Sequence, residues 1–297
     1  MIRIISIVTN FLIISTSLFS QDKRNDWKDM DLKGKVKSVI NRYEDFNRRR
    51  FWDSTKYVFN KKGDAIAEYK YWRQGPMSVW YKYEYNKDGT ITTTQFDPEN
   101  DTIIFKWVTE RDKNTRLGII TFYGFKGILE SSFTIIFYDD KGNKLEEIDY
   151  EDSITKDRSV YKSIAKQNLN EKGYNKGTSQ TYQGRKKYVY DEKENKIEEY
   201  WFDKNDTLWR TILTKFDETG LMIEEVQNPG PHSYRVTYKY DSSRHMVQED
   251  EHDYNGNIYK TKRYKYDVDN KGNWIRMTIL GEGDKPIAER ERIIEYF

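Results

Sequence analysis

The chain has 297 residues, 36% hydrophobic and 34% charged, with 51 Lys plus Arg against 49 Asp plus Glu for a net charge of +2. That balance excludes a strongly basic nucleic-acid surface and an acidic disordered tail. The absence of cysteine excludes disulfides, thiolate metal sites, cysteine nucleophiles and a lipidated N-terminal Cys.

In chain order, the first feature is a targeting segment. Arg3 gives a short positive start, Ile4 to Val8 and Phe11 to Leu18 are apolar, and Ser20 is a small residue before a polar flank. Residues 1–20 read as a signal peptide cleaved after Ser20, leaving 21–297 as one exported domain. A retained membrane anchor is the competing reading, and the shortness of the run speaks against it. Export without cysteine fits a periplasmic, secreted or cell-surface protein of a bacterium.

Beyond a charged leader, Asp22 to Asp31, the residues Leu32 to Val39 begin the first alternating strand, which runs to about Tyr43. From there 24 Tyr, 14 Phe and 8 Trp must carry much of the burial, and these residues favour strands. Turn anchors, an Asn or Asp just after an aromatic or apolar strand end, fall at Asn60, Asn86, Asp112, Asp139, Asn170, Asp191, Asp217, Asp241 and Asp267, with a period of about 26 residues. Gly follows in most of these turns, where φ > 0 is needed; the 191 unit offers Asn195 there and the 241 unit Arg244 and His245. A second turn falls in each period and holds all five prolines, Pro76, Pro98, Pro229, Pro231 and Pro286, where a missing N–H harms no ladder. The pattern predicts all-β structure: roughly 20 short strands in consecutive antiparallel hairpins, forming one long, twisted, curling repeat sheet.

Tyr188-Val189-Tyr190-Asp191, Tyr238-Lys239-Tyr240-Asp241 and Tyr264-Lys265-Tyr266-Asp267, the last followed by Gly272-Asn273, resemble the tyrosine-aspartate (YD, RHS-like) repeats of bacterial secreted and cell-surface proteins. The resemblance covers most of residues 36–297 and implies a repeated β-sheet. The period is longer than usual for those repeats, and the autoprocessing and toxin segments of the large members are absent, so toxin activity is not implied.

Residues two apart share a strand face. Val79, Tyr81, Tyr83 and Tyr85 oppose Trp80, Lys82 and Glu84; Tyr234, Val236, Tyr238 and Tyr240 oppose Arg235, Thr237 and Lys239. The aromatic face reads first as a core covered by the curl of the sheet. Its rival is a stacking platform for sugar rings or a partner strand, with Trp72, Trp80, Trp107, Trp201, Trp209 and Trp274 as candidate ligand-binding residues.

Enzyme signatures are poor. His232, His245 and His252 lack a metal-ligand spacing and read as surface residues. No nucleophile elbow, phosphate loop or dinucleotide fingerprint is present. Asp267, Asp269 and Gly272 approach a calcium loop, but Lys271 sits at a ligand position. No cofactor, metal or catalytic residue is expected. An outer-membrane barrel is opposed by the Lys, Arg and Glu on the non-aromatic face. The reading is a non-enzymatic exported protein that binds or scaffolds protein or glycan at the cell envelope, without spanning the membrane; a glycan-acting envelope enzyme is the alternative.

Overall fold

A computed structural model of the chain describes residues 26–46, 52–71, 75–112, 116–124, 129–152, 180–228 and 233–297. After a helical turn, Asp26–Asp29, the strands are β1 (Val36–Asp45), β2 (Trp52–Phe59), β3 (Ala65–Tyr71), β4 (Met77–Tyr85), β5 (Ile91–Phe96), β6 (Ile103–Asp112), β7 (Leu117–Tyr123), β8 (Leu129–Tyr138), β9 (Lys144–Asp152), β10 (Gln180–Tyr190), β11 (Lys196–Phe202), β12 (Leu208–Phe216), β13 (Met222–Gln227), β14 (Tyr234–Tyr240), β15 (Met246–His252), β16 (Ile258–Val268), β17 (Trp274–Leu280) and β18 (Pro286–Tyr296). Every strand pairs antiparallel with its sequence neighbours, and β18 pairs with β1 from Ala288↔Asp45 to Tyr296↔Val36.

The all-β, antiparallel expectation therefore holds, but the open curling sheet is corrected. The described strands number 18 and close into one barrel, because pairing β18 with β1 satisfies the two edges that an open array would leave exposed. The RHS-like resemblance falls with it: the hairpins are staves of a single closed barrel rather than stacked repeat units.

The two turn classes become two rims. The anchors at Asn60, Asn86, Asp139, Asp191, Asp217 and Asp241 lie on one rim, with the start of β1 and the end of β18; the second turns, including Pro76, Pro98 and Pro286, lie on the far rim. In the 269–273 turn the N–H of Asp269 donates to the Asn273 carbonyl (2.8 Å), and the N–H of Gly272 donates to that of Asp269 (3.0 Å). The Asp269 carboxylate accepts the amides of Lys271 and Asn273, both at 2.9 Å. This is a type I turn closed by a residue of positive φ, which is why the register shifts there. Gly272 has φ 79°. Three details differ from the expectation. The last anchor is Asp269, since Asp267 lies inside β16. Glu194 (φ 67°), not Asn195, takes the strained position in the 191 turn, while Asn195 donates its amide to Asp191. Asn170 lies outside the described residues, and among the described residues β9 and β10 lie between the Asp139 and Asp191 turns.

Paired residues share a face, so one face can be followed around the barrel. It carries Val39, Tyr57, Glu68, Tyr81 and Gln95 in direct register, and later Lys186, Trp201 and Arg210. This face is the lumen. Trp27, Met30 and Leu32, which precede β1, pack against Val39, Tyr57, Tyr81 and Tyr83 inside it. Arg292 Nη2 donates to the Met30 carbonyl (3.1 Å), and Asn273 Nδ2 to that of Lys33 (2.9 Å), so the N-terminal segment plugs the first rim. The opposite face carries exposed Lys82, Lys187, Lys215, Lys239, Lys265 and Arg276. On β7 to β9 that outward face is buried too, through Leu117, Ile119, Phe133, Ile135, Ile148 and Tyr150. The near-continuous apolar runs of β7 and of the second half of β8, without alternation, suit burial on both sides.

Candidate functional site

The tyrosines that carry the repeat motif serve the barrel. In Tyr-x-Tyr-Asp/Asn hairpins the first hydroxyl donates to a lumen glutamate on the preceding strand: Tyr83 to Glu68 (2.6 Å), Tyr188 to Glu147 (2.8 Å) and Tyr264 to Glu249 (2.8 Å). The second donates to the carbonyl that opens the preceding strand: Tyr85 to Ala65, Tyr240 to Met222 and Tyr266 to Met246, at 2.8 to 2.9 Å. Burial first, and then the adjacent glutamate, push the Tyr83, Tyr188 and Tyr264 hydroxyls far above their usual range. These rings are core, as the covered-face reading expects.

Beside them lies a buried charge cluster. Glu147 faces Lys144 and Lys186 (3.8 Å); burial opposes its charge, but the two ammonium groups hold its carboxyl below the usual range. Two residues along β9, Asp149 accepts from Thr134 Oγ1 of β8 (2.7 Å), and burial raises its carboxyl.

Toward the far rim the lumen changes character. Trp201 on β11 lies between Lys186 Nζ (4.5 Å from its centroid) and the Arg210 guanidinium (4.9 Å), while its indole N–H donates to Glu199 (2.5 Å). Trp209 meets Trp201 edge-on at 5.4 Å and 86°, with 54% of its surface exposed. Arg210 Nη2 donates to Gln227 Oε1 (2.9 Å), and Gln227 is the register partner of Tyr234, itself 40% exposed. Two strands on, Glu251 accepts from Lys260 Nζ (2.7 Å) and the hydroxyl of Tyr259 (2.9 Å), and Lys262 Nζ is 3.2 Å away. Burial works against the Glu251 charge, and these three donors keep it below the usual carboxylate range. Tyr259 is 58% exposed. It borders a cleft of about 560 Å³ at the rim, which takes lining residues from both faces of β16, Lys260 and Lys262 on one and Thr261 and Arg263 on the other, and is completed by the 281–283 turn and Ile287.

The six candidate tryptophans do not converge. Trp72 lies outside the described residues. Trp80 is on the outer face, stacked between Phe96 (4.0 Å) and Tyr69 (6.0 Å). Trp107 packs edge-on against Tyr81 in the core, and Trp274 lies under the Arg292 guanidinium (3.8 Å) at the plugged rim. Only Trp201 and Trp209 meet. Tyr259, Arg210 and Gln227 were not singled out from sequence, although Leu208-Trp209 and Ile258-Tyr259 share a signal: an apolar pair directly after a second turn.

The histidines correct the surface reading. His252 is buried, with Nε2 2.9 Å from Thr237 Oγ1 and Nδ1 3.2 Å from the Gly256 carbonyl, and His245 stacks on Tyr266 at 4.8 Å. His232 lies outside the described residues. Among the described residues no cluster of three or more His, Asp or Glu could hold a metal, and no helix is long and apolar enough to cross a membrane.

No family model and no curated protein matches the chain. Similar solved structures include a porin-like protein from Bacteroides uniformis, 9% identical with a TM-score of 0.43, over 88% of this chain and 98% of that one. A porin-like protein from Bacteroides vulgatus is 13% identical with a TM-score of 0.40, over the same shares. A protein of unknown function from Bacteroides fragilis is 14% identical with a TM-score of 0.29, over 36% of this chain and 84% of that one.

Proposed function

We propose that the chain is an exported, non-enzymatic binding protein of the bacterial cell envelope, which holds its ligand at the far-rim end of the lumen. The observation that carries this reading is the row of exposed lumen-side rings, Trp209, Tyr234 and Tyr259, beside hydrogen-bonding Arg210, Gln227 and Glu251. Flat apolar rings with a few placed polar groups are the composition of a ligand site.

Residues 1–20 support export, as a positive start and a short apolar run. The outward Lys and Arg support a barrel in water, because each cation facing lipid at mid-bilayer costs about 2–4 kcal/mol. A glycan-acting enzyme would need a carboxyl raised toward neutrality as its acid. Glu251, at the mouth, is held low instead.

The test is the protein lacking residues 1–20, prepared without detergent and titrated with glycan and envelope-protein fractions while tryptophan fluorescence is followed. A soluble protein whose emission changes saturably, and less so after Trp209→Ala, is expected. A protein that is soluble only in detergent, or an emission change indifferent to Trp209, would sink the reading.

A further inference from the structure

The far-rim rings are set at a fixed interval. Trp209 belongs to β12, Tyr234 to β14 and Tyr259 to β16, so they recur on every second strand. With about 4.8 Å between strands, successive rings stand on the order of 10 Å apart along the rim. The intervening strands carry hydrogen-bonding groups on the same face: Gln227 on β13, held by Arg210, and Glu251 on β15, held by Lys260 and Tyr259. Ring, amide, ring, carboxylate, ring is thus the order along the arc. The hydrogen bond to Glu251 raises the Tyr259 hydroxyl first and Tyr234 adds to it, while burial and then Glu251 raise the Tyr234 hydroxyl. The arc ends in the cleft of about 560 Å³ beside Tyr259.

We propose that this arc binds an extended neutral glycan chain, with alternate sugars stacked on Trp209, Tyr234 and Tyr259 and the intervening hydroxyls met by the Arg210–Gln227 and Lys260–Glu251 pairs, of which Lys260 is exposed and Arg210 partly so. The proposal rests on the far-rim end of the lumen being the ligand site. The chemistry selects the occupant. A sugar ring offers an apolar face to an aromatic ring and hydroxyls around its edge, which matches the alternation of rings and polar groups. The arc is ill-suited to an anionic lipid surface, because the rim turns beside it carry Asp203, Asp206, Asp253, Glu282 and Asp284.

The experiment is a length series. Neutral β-linked glucan and chitin oligosaccharides, from disaccharide to hexasaccharide, are titrated into the protein lacking residues 1–20, and into Trp209→Ala, Tyr234→Ala, Tyr259→Ala and Trp80→Ala variants. Circular dichroism confirms that each variant is folded. Affinity should rise at least tenfold from disaccharide to hexasaccharide. Each rim substitution should weaken the hexasaccharide by roughly fivefold to a hundredfold, taking base-on-aromatic stacking as the measured analogue, and Trp80→Ala should not. Affinity that is flat with length, or indifferent to all three rim substitutions while an envelope-protein fraction still changes tryptophan emission, overturns the glycan arc and leaves the ligand site standing. No response to any glycan or protein fraction overturns both.

Discussion

Tyr188 Oη donates to Glu147 at 2.8 Å across the β9–β10 pair, and both side chains are buried. The hydroxyl and the two neighbouring lysines together satisfy a carboxylate that has no water to turn to. Tyr188→Phe should therefore cost about 1–3 kcal/mol, the penalty of a buried acceptor left short of a donor. Glu147→Gln should cost about 3–5 kcal/mol, because Lys144 and Lys186 would lose their buried counter-charge. Chemical denaturation of the two variants checks the order; an inverted order would mean that the lysines are charged without need of Glu147.

Asp149 sets a pH dependence of definite sign. Burial raises its carboxyl above the ordinary value of 3.8, so the folded chain holds this proton more tightly than the unfolded one. The stabilisation is fully present below the unfolded value and is lost as pH rises through the folded one. Asp149→Asn keeps an acceptor for Thr134 and removes the titration. Its melting temperature should exceed that of the parent at pH 7 and converge on it near about pH 4; equal melting temperatures at pH 7 would refute the assignment.

Core and rim rings should separate cleanly. Tyr264 is buried and Tyr259 mostly exposed, so Tyr264→Ala should destabilise by about 2–5 kcal/mol and Tyr259→Ala by no more than about 1 kcal/mol. Denaturant midpoints decide, and similar losses at both positions would place Tyr259 in the core.

The turn at Gly272 offers a backbone test. At φ 79°, Gly272→Val should cost on the order of 1–3 kcal/mol. An unchanged unfolding midpoint would contradict the turn.

Closure makes the molecule cooperative. An open array truncated after Asn228 would leave a shorter folded remnant, as stacked units do. In the barrel the same cut removes β14 to β18 and leaves β1 and β13 each with one unpaired edge, so the remnant should be unfolded by circular dichroism. A folded remnant would argue for separable hairpins.

Much of the architecture is local and was therefore legible. Asp-x-x-Gly turns, prolines and the alternation of Tyr with Lys or Glu encode strand length, turn type and face within a few residues of each other. The alternation of two turn classes was legible, although Asp112 and Asp267 lie inside β6 and β16 rather than after them; the burial of Tyr81, Tyr83 and Tyr264 was legible too, whereas Tyr85 and Tyr234 of the same expected face are exposed. The rim rings were half legible: Trp209 stood out as a tryptophan, whereas Tyr259 becomes notable only because Tyr234 and Glu251 lie beside it. Tertiary structure alone decided closure, because the pairing of β18 with β1 joins residues about 250 positions apart and no local pattern distinguishes an edge that meets another edge from one left to water. The same long-range pairing converts a tyrosine repeat that resembles a stacked array into a lumen, with one rim plugged by Trp27 to Leu32 and the far rim presenting its rings.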